Sequence, residues 1–240
     1  MPKEMPAIVL VHGAFAESSS WNPVIKRLQE RSLDVTAVAN PLRSVEVDAA
    51  YVRDVIAALG RPVVLVGHSY GGIVITEAAA GNDAVVGLTY VAAFAPEHGE
   101  SAFELSGKFP GSTLAAALAA HPLSTGGNEL TIARDYFHQQ FAADVPGGTA
   151  ALMAATQRPI TEIALTTGLP TNYPAWRTIP SWFVFGSDDR NIPAELIRFL
   201  AERAGSRGTH EIAGGSHALS VSYPDAVAAM IVRTAQAATQ

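Results

Sequence analysis

Short apolar runs rich in Val alternate along this chain with longer segments whose apolar residues recur at helical spacing. The runs at 7–11, 33–39, 63–66, 84–93 and 181–185 predict strands, and 209–212 is read as a short sixth. Apolar character that is continuous rather than alternating predicts strands buried on both faces, as in a parallel sheet. Between them, residues 20–30 place Trp21, Val24, Ile25 and Leu28 on one helical face, with Ser20 as the expected N-cap. Residues 45–59 repeat the pattern with Val47, Val52, Val55, Ile56 and Leu59, and Gly60 closes that helix. Further helices are predicted at 70–80, 193–204 and 224–235. Strands alternating with helices of this length imply an α/β fold with right-handed crossovers.

The texture changes at Glu97. From there to Trp176 the Val-rich runs disappear, and Ala-rich or amphipathic segments at 112–120, 131–143 and 149–157 predict helices. Breaks are expected at His121-Pro122, Gly126-Gly127, Pro146-Gly147-Gly148 and Arg158-Pro159. A stretch of about 80 residues is far longer than an ordinary crossover connection. The expected organisation is therefore a core built from 1–96 and 177–240, with 97–176 inserted as an all-helical lid over the strand ends.

Chemistry concentrates where strands end. The run Val63 to Val66 stops at Gly67, passes through Ser69, and resumes as a helix from Tyr70, placing Gly-x-Ser-x-Gly at a strand-to-helix corner. So sharp a turn strains the serine backbone, and Gly67 and Gly71 keep the space around it clear. Ser69 Oγ would stand exposed over the strand end, and the Tyr70 N–H would point at developing negative charge. Serine is a poor nucleophile until a base takes its proton, and an imidazole held by a carboxylate suits that task. Three other strand ends carry candidate groups: His12-Gly13-Ala14-Phe15, Asp188-Asp189 and His217. Of the neighbouring acids, Asp189 stands at the far end of a turn that begins at Gly186 and stops at Pro193, with reach towards His217. Asp188 reads as a turn residue bonding local backbone, and Glu97 is the weakest candidate. His12 and His68 read as structural, and His98, His121, His138 and His210 as surface or lid positions.

Composition narrows the field. The chain has 240 residues, 48% of them apolar, enough for one large α/β domain with a sizeable core. A formal net charge of −6 disfavours nucleic acid and anionic membrane surfaces as partners. The absence of cysteine removes disulfides, thiol catalysis and thiolate metal sites. No histidines fall at ligand spacing, so no metal or cofactor is expected. The opening Met-Pro-Lys-Glu-Met-Pro lacks the apolar core of a signal peptide, and no apolar run reaches membrane-spanning length. A cytoplasmic protein is the expectation.

The pieces Val9-Leu10-Val11-His12-Gly13-Ala14, Val66-Gly67-His68-Ser69-Tyr70-Gly71-Gly72, Gly186-Ser187-Asp188-Asp189-Arg190-Asn191-Ile192-Pro193 and Gly214-Gly215-Ser216-His217 together resemble the α/β-hydrolase family. The likeness is to its plant methylesterase and hydroxynitrile-lyase branch, and more distantly to cofactor-free haloperoxidases. The resemblance implies Ser69 as nucleophile, Asp189 as acid and His217 as base. It further implies the Ala14 and Tyr70 N–H groups as oxyanion hole, and a shortened sheet of six strands. Phe15 would line the pocket, together with aromatic candidates Phe94, Phe137 and Trp176. The lyases carry Thr at Gly13 and Lys at Ala218, and that lysine stabilises leaving cyanide, so its absence favours an esterase. The implied activity is hydrolysis of small carboxylic esters through an acyl-enzyme. A perhydrolase using the same triad, or a slow-turnover receptor on a hydrolase scaffold, are the alternatives.

Overall fold

In the computed structural model of the protein, which describes residues 4–239, the apolar runs lie side by side. Among the described residues nine strands follow in chain order: β1 (Ala7–Val11), β2 (Val35–Val38), β3 (Val63–His68), β4 (Val85–Val91), β5 (Leu118–Pro122), β6 (Asn128–Ile132), β7 (Ile160–Thr161), β8 (Ser181–Gly186) and β9 (Gly208–Ile212). Six of them form one sheet in the order β2-β1-β3-β4-β8-β9, and every neighbouring pair in it is parallel.

The near-continuous apolar character of these strands has a simple origin. On one face Val9, Val11, Leu65, Tyr90, Phe183 and Phe185 pack against the helices Val45–Leu59, Gly71–Ala79 and Ala194–Arg203. On the other Ile8, Leu10, Val64, Val66, Trp182 and Val184 meet the helices Asn22–Gln29 and Pro224–Ala237. Successive residues alternate between faces, and in the central strands both faces are covered, so a polar side chain such as Thr89 needs a buried partner, here Thr234. Each such Val, Ile or Leu contributes about 1.5–3 kcal/mol of burial.

Local chemistry sets the helix ends, with one correction. Ser44 Oγ accepts the Val47 N–H and caps Val45–Leu59, while Gly60, at φ 61°, closes it. Ser20 does not cap a helix. It lies inside a 3-10 turn, Ser18–Trp21, where its hydroxyl donates to the Glu17 carbonyl, and the α-helix begins with Asn22-Pro23. Proline in the first turn starts the helix without a side-chain cap.

The segment 97–176 departs from the all-helical expectation. It carries helices at Ala102–Ser106, Leu114–Ala117, Arg134–Phe141, Gly147–Thr156 and Glu162–Thr166, but also an antiparallel sheet β5-β6-β7. Residues 118–122 and 128–132, read as helical or as a break, form a hairpin whose turn is made by Gly126 and Gly127, both at positive φ. Ala-rich sequence favours a helix by propensity. Here cross-strand pairing, with Leu118 and Leu130 packed on the core and Ile132 buried in it, outweighs that preference. The segment is tied to the core at several points. Thr161 donates from its N–H to Leu42 and from its hydroxyl to Arg43, and Arg43 bonds Pro159 and Glu129. At its far end Trp176 Nε1 donates to the Pro96 carbonyl, and Arg177 pairs with Glu97.

Candidate active site

Four strand ends meet at one edge of the sheet. In register, Val11 lies opposite Gly67, His68 opposite Val91, and Gly186 opposite Ile212, so the turns that follow β1, β3, β8 and β9 emerge together. The turn after β3 carries Ser69 at φ 54°, a left-handed backbone that non-glycine residues seldom adopt. A Cβ on Gly67 would stand 2.6 Å from the Gly71 carbonyl oxygen, which is why this corner needs glycine. The turns after β8 and β9 approach even more closely. A side chain on Gly186 would overlap the Gly215 carbonyl at 2.0 Å, and the backbone N–H groups of Ser187 and Asp188 bond Ile212 and Gly215.

That approach brings an acid onto a base. The Asp189 carboxylate is buried: Oδ1 accepts the N–H groups of Asn191 at 2.8 Å and Ile192 at 2.9 Å, and Oδ2 accepts from His217 Nδ1 at 2.6 Å. A carboxylate that only accepts fixes the tautomer: Nδ1 carries the proton, and Nε2 keeps its lone pair. Nε2 is buried and has no hydrogen-bond partner among the described residues. The bond from Ser69 Oγ to this nitrogen is not closed in the structure, and such bonds commonly tighten only with substrate bound. Asp188 is exposed and bonds Ser187 Oγ at 2.8 Å. Glu97 is engaged with Arg177.

Two further histidines surround the site as neutral groups. His68 Nε2 donates to the His217 carbonyl at 3.0 Å, and its ring lies 4.7 Å from that of His217. Burial first, then the neighbouring His217, pushes its pKa well below that of a free imidazole. His12 bonds its own turn through Nδ1 to the Gly13 carbonyl, and burial lowers its pKa to about 4. Asn40 holds the same turn by donating to the His12 carbonyl.

A cavity of about 520 Å³ opens at Ser69. Ala14, Phe15, Tyr70, Phe94 and Ile192 line it on the core side, and the stretch from Ala102 to Leu118 supplies most of the opposite wall. Among the described residues, neither the Ala14 nor the Tyr70 N–H donates to a protein acceptor. Phe15 and Phe94 therefore stand where the sequence places them, but Phe137 and Trp176 do not. Phe137 is fully buried, stacked on Phe141 at 5.1 Å, and Trp176 is buried against Pro96 beneath Arg177 and Arg203. Both belong to packing between the inserted segment and the core.

One buried acid escapes the sequence reading. Asp48 accepts the Tyr70 hydroxyl at 2.9 Å and the Arg43 N–H at 3.0 Å, fixing the residue that follows Ser69. Burial raises its pKa. The signal was present in outline: Asp48 falls on the helical stripe Val45, Ala49, Val52, Ile56, where a charge has no place without a partner.

Comparison with known proteins agrees with this architecture. The chain is 30% identical over 250 residues to the α/β hydrolase nvfD of Aspergillus novofumigatus (strain IBT 16806), across 94% of this chain and 95% of that protein. Among solved structures it resembles the methylesterase MES16 from Arabidopsis with a TM-score of 0.80, at 18% identity over 96% of this chain and 99% of the other. It also resembles a pyrethroid hydrolase from Sphingobium faniae JZ-2 with a TM-score of 0.76, at 22% identity over 98% of both chains. Residues 8–230 match the model of the alpha/beta hydrolase family, and the chain belongs to that family.

Proposed function

We propose that this protein is a serine esterase acting on small, uncharged carboxylic esters, with Ser69, His217 and Asp189 as its triad. The observation that carries the reading is the buried Asp189–His217 pair, with His217 Nε2 left without a partner in the turn after β9, at the same sheet edge as the strained elbow serine. In the first half-reaction Nε2 takes the Ser69 proton while Oγ bonds the ester carbonyl carbon. Negative charge moves to the carbonyl oxygen, where the Ala14 and Tyr70 N–H groups donate to it. The carbon–oxygen bond to the alcohol then breaks, and the alcohol leaves with the proton from His217. Water, deprotonated by the same nitrogen, attacks the acyl-enzyme and releases the acid and Ser69. Asp189 stabilises the imidazolium in both halves.

The cavity supports the substrate class. Phe15, Phe94, Leu114, Leu118, Leu165 and Ile192 make its walls largely apolar, and among the described residues that line it the one charged side chain is Glu104, with no Lys or Arg to attract an anionic substrate. The names of the relatives, a methylesterase and a pyrethroid hydrolase among them, point the same way.

The test is covalent. Wild-type protein should react with a fluorophosphonate and turn over short-chain nitrophenyl esters, and Ser69→Ala should lose both. Labelling that persists in Ser69→Ala would overturn the nucleophile. Stoichiometric binding of ester without turnover in the wild type would favour a receptor instead.

A further inference from the structure

The end of the helix Arg134–Phe141 and the residues after it grip both loops that carry the acid and the base. Gln140 is 7% exposed, and its amide is fully engaged. Nε2 donates to the Arg190 carbonyl at 2.9 Å and to Asn191 Oδ1 at 2.7 Å, and Oε1 accepts from Thr113 Oγ1 at 2.8 Å. Asn191 is the residue whose N–H bonds Asp189 Oδ1. Ser112 and Thr113 bond the Asn191 and Arg190 carbonyls from the same side. Four residues beyond Gln140, the Asp144 carboxylate accepts both the N–H and the hydroxyl of Ser216, the neighbour of His217. Between these grips Phe141 lies edge-on to the His217 imidazole at 4.9 Å.

We propose that Gln140 and Asp144 are positioning residues that hold Asp189 and His217 in register, making this corner of the inserted segment a fixed part of the catalytic apparatus. The inference rests on the triad assignment above. Burying an amide is unfavourable unless its hydrogen bonds are made, and an apolar side chain of similar size would fill the same space without that cost. What Gln140 supplies beyond volume is its three directed bonds, all to loops outside its own helix. An Asp–His bond of 2.6 Å tolerates little displacement. A misplacement of about 1 Å at a reacting group costs on the order of 100-fold in rate.

The experiment compares Gln140→Leu and Asp144→Asn with a control in the same segment. Gln157 is also a bonded amide, but it bonds Ile132 and Ala154 and touches neither loop. Two readouts are taken: the low-field proton NMR resonance of the hydrogen between His217 and Asp189, and kcat and KM on nitrophenyl butyrate. Gln140→Leu and Asp144→Asn should move or broaden the resonance and lower kcat by about 10- to 100-fold. KM should stay within about twofold, since neither residue lines the cavity. Gln157→Leu should leave the resonance in place even where it lowers Tm equally. Should Gln140→Leu fail to fold, Thr113→Val removes only the bond that fixes the Gln140 carbonyl and should move the resonance in the same direction. An unchanged resonance and unchanged kcat in the Gln140 and Asp144 variants would overturn the proposal. So would a control that perturbs both readouts in proportion to lost stability. A wild type without ester turnover would sink the esterase reading, while the NMR response would still report the positioning.

Discussion

His12 offers a direct test of how burial tunes this site. Its pKa falls from 6.5 to about 4, mainly because the folded protein strips water from the imidazole. The bond from Nδ1 to the Gly13 carbonyl fixes a neutral tautomer whose Nε2 is buried without a partner. A folded pKa below the unfolded one means that, between the two values, the unfolded chain binds a proton that the native state refuses. Stability is therefore full above about pH 6.5 and falls as the pH drops towards 4. The shift of about 2.5 units, at 1.36 kcal/mol each, amounts to about 3 kcal/mol. His12→Asn removes the titration and leaves an amide able to donate near the position of Nδ1. Urea unfolding of both proteins from pH 4 to 8 isolates the effect, because the other carboxylates and His68 are common to both. The stability difference, wild type minus variant, should be flat above pH 6.5 and fall by about 3 kcal/mol by pH 4. A difference that stays constant across this range would refute burial as the cause.

The two neighbouring acids should separate sharply. In Asp189→Asn the side-chain oxygen must stay on the Asn191 and Ile192 N–H groups, turning the NH2 towards His217 Nδ1 and forcing the wrong tautomer. Turnover should drop by up to roughly ten-thousandfold with the fold intact, whereas Asp188→Asn should change kcat little, and the reverse ranking would refute the assignment. Trp176→Phe should lose the bond to the Pro96 carbonyl and about 1–2 kcal/mol of stability in urea unfolding, with no change in preference among esters. Leu118→Ala, by contrast, enlarges the cavity and should shift preference towards longer acyl chains by roughly 10- to 200-fold on a graded ester panel.

What the sequence made legible follows from how local each cause is. The four central strands and the elbow at Ser69 announce themselves because a doubly buried strand and a strained turn each constrain consecutive residues. That Asp189 rather than Asp188 meets His217 could be read because Gly186 and Pro193 bracket one short turn. Phe137 and Trp176 misled because an aromatic in an amphipathic helix looks the same whether it faces a ligand or a neighbouring helix. The hairpin of β5 and β6 was hidden by Ala propensity, which long-range pairing overrides. Gln140 and Asp144 gave no signal, since their partners Asn191 and Ser216 lie 51 and 72 residues further along the chain. Only Asp48, a charge on an apolar stripe, was there to be found.

The wall of the cavity that comes from Ala102 to Leu118 has an engineering consequence. Its first part, Ala102 to Gly111, shapes the cavity through Phe103, Ser106 and Gly107 yet makes no side-chain bond to the loops of Asp189 or His217. Anchorage begins only at Ser112 and Thr113. Ala102 and Leu105 are buried in the core and Phe109 packs on Phe199, so the positions open to exchange are Phe103, Ser106 and Gly107. On the esterase reading proposed above, new preferences can be grafted at these positions while the loops of Asp189 and His217 stay as they are, and a graft that crosses Ser112 will trade selectivity against rate.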